Sequence, residues 1–331
     1  LKYGKTYYWK VVAEDTYGAS TTSDIYTFVT QLPLIVSGSS DNIYSVDISD
    51  KEDPEEINSK NITSNATIII DGTYAYIARD EGFYIYDASP TNLSEISNNA
   101  TIAKNLVNLD KEGNYVYALS KDASRLIIYD VSDPQSITLA ATVATDLSAE
   151  VKAIDVEGNY AYIVDKTNGL VVYDISNNNS PTLAASYTNE IMNPTDIVVN
   201  DSYAFITCGA SGVVVMDISN PENPAYISRL KYKDDDTNAV AIYWYNNKLY
   251  VANNSSNSKG ISVINAVYPE NMYEERFISV GSGDPTDVFV NDKYIYVAAK
   301  SGGLRVLDES GEKEVGSYGN DVINIGGIYS E

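Results

Sequence analysis

Short runs of apolar residues, five to seven long, recur along the whole chain, and turn-forming residues separate them. The stretch Val151–Thr188 shows the rule behind them. "VKAIDV" alternates apolar and polar positions, which predicts a strand with one face in a core. It stops at the turn "EGN". "YAYIVD" follows, rich in aromatic and β-branched residues. "NG" (Asn168–Gly169) then predicts a hairpin, because both turn positions favour positive φ. "LVVYDIS" is almost continuously apolar, as in a strand buried on both faces. "NNNSP" breaks the run, and "TLAASYT" makes a fourth, weaker strand. No segment carries a helical period, so the chain is expected to be all-β.

The third of these strands is rewritten seven times. Aligned on their acidic position, the phrases centre on Asp47, Asp87, Asp130, Asp174, Asp217, Asn265 and Asp308. Intervals in the low to upper forties suit a four-stranded propeller blade. Stacking blades radially buries both faces of each sheet, and closing the ring leaves no end exposed. Seven phrases imply a seven-bladed β-propeller over residues 32–331. The first blade lacks its opening strand, since "LPLIVSG" aligns with the second strand of the unit. "DVINIGGIYS" (Asp321–Ser330) resembles the openings "TDIVVNDSYA" and "TDVFVNDKYI". It is therefore expected to complete the first blade and lock the ring.

The text "AIDVEGNYAYIVDKTNGLVVYDISNNNSPTLAA", with its near copy at "DIVVNDSYAFITCGASGVVVMDISNPENPAYIS", resembles the LVIVD-repeat family of β-propellers. The family is found largely in surface or secreted proteins, and the resemblance supplies no catalytic residues. The sixth copy departs most, with "VINAV" in place of "VYDIS" and a long loop "NNSSNSKG". Residues 1–31 are different. Leu1, Gly4 and Tyr7 match the tyrosine corner of a fibronectin type III domain, and Trp9, Val11 and Ala13 alternate as its sheet does. They resemble the last two strands of such a domain, cut from a longer chain, completed by another one, or docked on the propeller.

Composition narrows the chemistry. Formal net charge is −24, a field that repels phosphate backbones, so no nucleic-acid partner is expected. No apolar run is long enough to span a membrane as a helix. There is no histidine, which removes Ser–His–Asp and Cys–His catalysis and imidazole ligands. The single cysteine, Cys208, lies in the strand "YAFITCGA" and is expected to be a buried, inert thiol. The two tryptophans, Trp9 and Trp244, are too few for the recurring pattern of quinone-dependent propellers.

Three groups of residues carry candidate chemistry. Lys152, Asp196, Asp287 and Asp321 fall near the starts of innermost strands, where they can surround one mouth of the channel and bind a cation or polar ligand. Asp234, Asp235 and Asp236 offer oxygen ligands for Ca²⁺, although the EF-hand alternation is missing. A solvated acidic loop is the competing reading. Eight N-x-S/T sequons, at Asn61, Asn65, Asn92, Asn99, Asn178, Asn200, Asn253 and Asn254, are glycosylation candidates. The repeated Asp of "VYDIS" reads as structural, a short acid at a strand end that accepts from backbone N–H groups of the next turn.

Together these features lead to an expectation of an extracellular or cell-surface scaffold or adhesion module, more a binding body than an enzyme. No cofactor is expected beyond possible Ca²⁺. Its partner would be a protein or polysaccharide at the cell surface, with self-assembly through the incomplete N-terminal segment as a further route. The alternative is a carbohydrate-binding or carboxylate-dependent enzyme propeller working at the channel mouth.

Overall fold

The computed structural model describes residues 6–29, 34–38, 42–62, 66–89, 91–122, 125–143, 147–232, 237–291, 293–310, 314–319 and 321–328. Among them, every regular element is a β-strand except one short 3-10 turn, Pro269–Asn271. Seven four-stranded antiparallel sheets are formed. Six are continuous blades, each made of four strands consecutive in the chain. We letter them by their spans: A, 66–99; B, 106–143; C, 151–187; D, 196–230; E, 239–279; and F, 287–318. The phrase at Asp47 does not make a blade of this continuous kind. It lies in a composite sheet, in which the last strand, Val322–Ile328, pairs with Leu34–Gly38, followed by Asn42–Asp47 and Glu55–Asn61. The count of continuous blades is therefore six rather than seven, and the composite sheet completes the circuit. Its opening strand contacts those of blades A and F, and the first strands of A through F contact one another in turn.

Burial grades outward through each blade. In blade C the first strand alternates between buried and half-buried residues, and the second and third are buried almost throughout. The fourth, Thr182–Tyr187, is mostly exposed or half-buried. The core lies between blades. Tyr117, Leu119 and Ile128 of blade B, for example, pack against Ile154, Ile163 and Val171 of blade C. Gly169 shows why the hairpins need glycine: its φ is +71°, and a Cβ there would stand 2.2 Å from the carbonyl oxygen of Tyr187.

The repeated acid holds the turn after the third strand. Asp47, Asp87, Asp130, Asp174, Asp217 and Asp308 each accept a hydrogen bond from the backbone N–H two residues on, at 2.7 to 2.9 Å. Asn265 does the same at 3.2 Å. The sixth phrase therefore keeps the geometry with a different side chain. Its long loop also proves shorter than the sequence suggests. Strands Lys248–Asn254 and Lys259–Asn265 stay paired as far as Asn254 and Lys259, leaving a four-residue turn closed by Ser255.

Closure follows the expected route. Val322 and Ile325 are buried with Val46, Ile48, Tyr296 and Val306. The register slips twice along this strand, between Val322 and Asn324 and between Ile325 and Gly327. A Cβ on Gly326 would stand 2.6 Å from Cγ2 of Ile68, so glycine lets the closing strand approach blade A.

Residues 6–29 form two short antiparallel ladders, Thr6–Trp9 with Tyr26–Val29 and Val12–Glu14 with Ser20–Thr22. They form no two-sheet sandwich. Trp9 and Val11, read from the sequence with Ala13 as alternating in a fibronectin-like sheet, are about half exposed, and Ala13 is exposed. Leu1 and Gly4 lie outside the described residues, as does the side chain of Tyr7. Trp9 instead stacks on Tyr26, with centroids 5.0 Å apart.

Candidate functional site

The first strands of the sheets stand around a central channel, and their alternation turns every second side chain into it. A cavity of about 210 Å³ opens at the end where these strands begin. Its polar wall comprises Lys152, Asp196, Asp287, Asn108, Asn324 and three threonines. Blade E contributes Val240 and Ala241, so the wall is apolar on that side. The structure thus brings three of the four expected channel residues together. Asp321 is not among them. It precedes the closing strand with φ of +59°, and Asn324, three residues on, takes the place beside Asp287. The register slip between Val322 and Asn324 explains the error, because it breaks the phase on which Asp321 aligned with Asp196 and Asp287.

The channel acids are tied to backbone. Asp196 accepts from Ile197 N–H at 2.9 Å through one oxygen and from Ile242 N–H of blade E at 2.9 Å through the other. Asp287 accepts from Val288 N–H, and through its other oxygen from Ile325 N–H and Asn324 Nδ2, each at 2.8 Å. Deeper in the channel, Asp110 accepts from Val156 N–H of blade C at 2.6 Å, and Asp155 from Val199 N–H of blade D at 2.7 Å. Asn108 and Asn324 act alike, taking Ile154 N–H and Ile68 N–H. Thr67 donates to the Val107 carbonyl to join A to B. These polar side chains stitch one sheet to the next around the ring. At the channel, blades E and F meet instead through the rings of Tyr243 and Phe289, 5.3 Å apart, and farther out Tyr250 Oη and Lys248 Nζ donate to Glu309.

The environment shifts the acids upward. Each is half-buried toward the channel, with protein on every other side. Burial raises Asp196 to about 7, the charge of Asp287 adds to this, and the N–H of Ile242 opposes it. Burial lifts Asp287 to about 6 and Asp110 to about 6. Asp155 stands well above the usual carboxylate range, first by burial and then by the charge of Asp110. Lys152 faces the cavity and pairs with Glu150 at 3.2 Å. The mouth therefore offers one ammonium, two acids that exchange protons near neutrality, and amide and hydroxyl groups. That set can hold a small hydroxylated or charged molecule. As acid–base groups, Asp196 and Asp287 have suitable pKa values but are held in place as ring stitches.

Elsewhere, Asp234, Asp235 and Asp236 lie outside the described residues, as does Asn65. Among the described residues, no group of three or more Cys, Asp or Glu side chains is placed to hold a metal. Asn61 and Asn92 are exposed, and Asn99, Asn200 and Asn254 are half-exposed. Asn178 accepts from Tyr117 Oη at 2.7 Å across the seam between B and C. Asn253 is completely buried and donates to Ser262 Oγ at 2.7 Å, which closes that sequon in the folded protein. Cys208 is buried, and burial pushes its thiol up to about 11. The stitching residues Asn108, Asp110, Asp155 and Asn324 were not legible as site residues. Their signal was polar residues in the inward register of the first strands, as in "LVNLDKE".

A family model described as LVIVD repeat matches residues 65–101, 108–145, 149–189, 193–231 and 282–312, more than half of the chain. It skips blade E and everything before residue 65. No curated protein matches the chain. Among solved structures, a protein from Lactobacillus plantarum aligns at TM-score 0.75 and 15% identity, covering 89% of this chain and 99% of its own. The periplasmic gluconolactonase PpgL of Pseudomonas aeruginosa aligns at TM-score 0.75 and 15% identity, covering 91% and 100%. A putative 6-phosphogluconolactonase from Bacteroides fragilis aligns at 0.73 and 12%, covering 89% and 97%. At such identities the likeness is one of fold.

Proposed function

The chain belongs to the LVIVD-repeat family, and on that premise we propose that it is a non-catalytic scaffold or adhesion module working at a cell surface or outside the cell. One observation carries this reading: the channel acids serve the ring. Asp196 and Asp287 each bond the backbone of the next sheet. A catalytic carboxylate needs an oxygen open to its substrate, whereas both oxygens of each of these acids accept backbone N–H groups. On this reading residues 32–331 are a propeller, seven-bladed when the composite sheet is counted, and residues 1–31 end a fibronectin-like unit. Its partner is a protein or polysaccharide, and the accessible sequons can carry glycans.

A second reading has its own support. Lys152, Asp196 and Asp287 share one cavity of about 210 Å³. That is room for several waters or one small sugar-like molecule. Two solved propellers of similar fold are named as a gluconolactonase and a putative 6-phosphogluconolactonase.

The deciding experiment offers glucono-1,5-lactone to the purified chain and follows hydrolysis by proton release. The scaffold reading expects the uncatalysed rate. Hydrolysis above it that is lost in Asp196→Asn or Asp287→Asn, which keep an oxygen acceptor but not the charge, would replace the scaffold with an enzyme.

A further inference from the structure

The seven sheets differ at one equivalent position of their outermost strands. In each, one residue pairs with the residue just before the repeated Asp or Asn. Four sheets place glutamate there: Glu56, Glu95, Glu274 and Glu314. The three consecutive blades B, C and D place Leu139, Leu183 and Tyr226. These three are 43%, 45% and 38% exposed, so the replacement is not a core residue in disguise. It puts three large apolar side chains at matching positions along one arc of the rim.

Charge is missing from the same arc. The outer strands of blades B and C, Thr138–Val143 and Thr182–Tyr187, contain no charged residue, glycine or proline. The other five outer strands each carry at least one charge. A sheet edge presents unpaired N–H and C=O groups, and edge charges normally keep other strands away. Among the described residues, each of these two strands has only one hydrogen-bonded neighbour and has no such guard. The chain around both edges is acidic. Near Thr182–Tyr187 no Lys or Arg occurs between Lys166 and Arg229, while Asp174, Glu190, Asp201, Asp217 and Glu222 do. Near Thr138–Val143 none occurs between Arg125 and Lys152, while Asp130, Asp133 and Glu150 do.

We propose that the outer edges of Thr138–Val143 and Thr182–Tyr187 take an extended polypeptide segment by main-chain pairing, the segment being apolar where it pairs and basic on either side. Alternate side chains of a strand added at one edge or the other would lie beside Leu139 or Leu183, and its flanking lysines or arginines would answer the acidic turns. A second copy of this chain fits less well, because it would bring another net charge of −24 to an edge bordered by acids. The inference deepens the scaffold reading and rests on it for its need of a protein partner. A channel that hydrolyses a lactone would overturn that reading without moving the result below, since neither leucine lies at the channel.

The test uses the full chain and a fluorescent peptide of alternating valine and threonine with paired lysines at both ends. Saturable binding is expected, with slowed amide exchange in Thr138–Val143 and Thr182–Tyr187. The double variant Leu139→Glu, Leu183→Glu should weaken it by about tenfold or more. Four other sheets carry glutamate at this position, so the variant should keep the native melting temperature. If it does not fold, the exchange map of the unaltered chain decides. A peptide ending in paired glutamates should bind more weakly by a similar factor. Unchanged affinity in the folded variant, or protection mapped to other strands, overturns the proposal. Concentration-dependent dimerisation of the chain that the same variant abolishes also overturns it, by giving these edges to a second copy.

Discussion

Deleting residues 321–331 removes the strand that joins the two ends of the propeller. Val322 is fully buried and Ile325 nearly so. Losing both buried side chains forfeits about 3–6 kcal/mol at about 1.5–3 kcal/mol each. Six hydrogen bonds to the flanking sheets go with them. Ile68 N–H donates to Asn324 Oδ1, Asn324 Nδ2 and Ile325 N–H donate to Asp287, Thr286 Oγ1 donates to the Ile323 carbonyl, and Lys300 and Val322 exchange a pair. At about 0.5–1.5 kcal/mol each these add roughly 3–9 kcal/mol. The total is comparable to the whole stability of a typical domain, about 5–15 kcal/mol. The truncated chain should therefore lose its cooperative melt or aggregate. Ile325→Ala, a milder change, should cost about 2–4 kcal/mol. Removing residues 1–31, whose described side chains are largely exposed, should cost the propeller no more than about 1 kcal/mol. Urea unfolding and thermal melting at fixed pH compare all three with the intact chain. A C-terminal deletion that melts cooperatively within about 3 °C of the parent would refute the closure argument.

Three further outcomes are expected. Asp196 and Asp287 have folded-state pKa values of about 7 and 6, above their ordinary value of 3.8, so between these limits the folded state holds more protons than the unfolded one. What these two groups contribute is full near pH 4 and is lost as pH rises to 7, on the order of 6 kcal/mol at about 1.4 kcal/mol per pKa unit and less once their exposure to the channel is discounted. The double Asn variant should therefore flatten the pH slope of stability; a variant whose slope matches the parent's would contradict it. Asp165 is completely buried and accepts from Ser148 N–H and Oγ, Thr167 N–H and Asn168 N–H, so Asp165→Ala should cost about 3 kcal/mol or more in urea unfolding. Melting temperatures with and without a chelator should agree within about 2 °C, and a larger drop would promote Asp234–Asp236 to a structural calcium site.

The parts of the fold written in local pattern were legible. The strand grammar of Val151–Thr188, the turn role of the repeated Asp and the buried Cys208 all depend on residues close in the chain. The pairing of Val322–Ile328 with Leu34–Gly38 was legible too, because an incomplete copy at one end matched a surplus strand at the other. What failed depended on register. Asp321 was aligned by its "DV" dipeptide, and the bulge between Val322 and Asn324 shifted the channel position to Asn324. The loop "NNSSNSKG" looked long because its Asn and Ser residues read as turn formers, yet ladder pairing extends through Asn254. Stitching from Asp110 to Val156 or from Asp196 to Ile242 was invisible for another reason. The recipient is a backbone N–H, which any residue at that position supplies. The rim change from glutamate to Leu139, Leu183 and Tyr226 needed the pairing register before those positions could be compared.

The composite sheet also decides how the ring responds to being pulled. Leu34 and Ile328 are paired, so the chain enters and leaves the propeller at the same end of one ladder. Tension applied through the two ends of the polypeptide loads that pair first and then opens the ladder toward Gly38 and Val322 one bond at a time. A parallel arrangement would shear every bond together and resist far more. The closing strand thus behaves as a zipper under load, although it is a lock at rest. A propeller strung between two anchored points would open at its seam at low force, well before any continuous blade came apart.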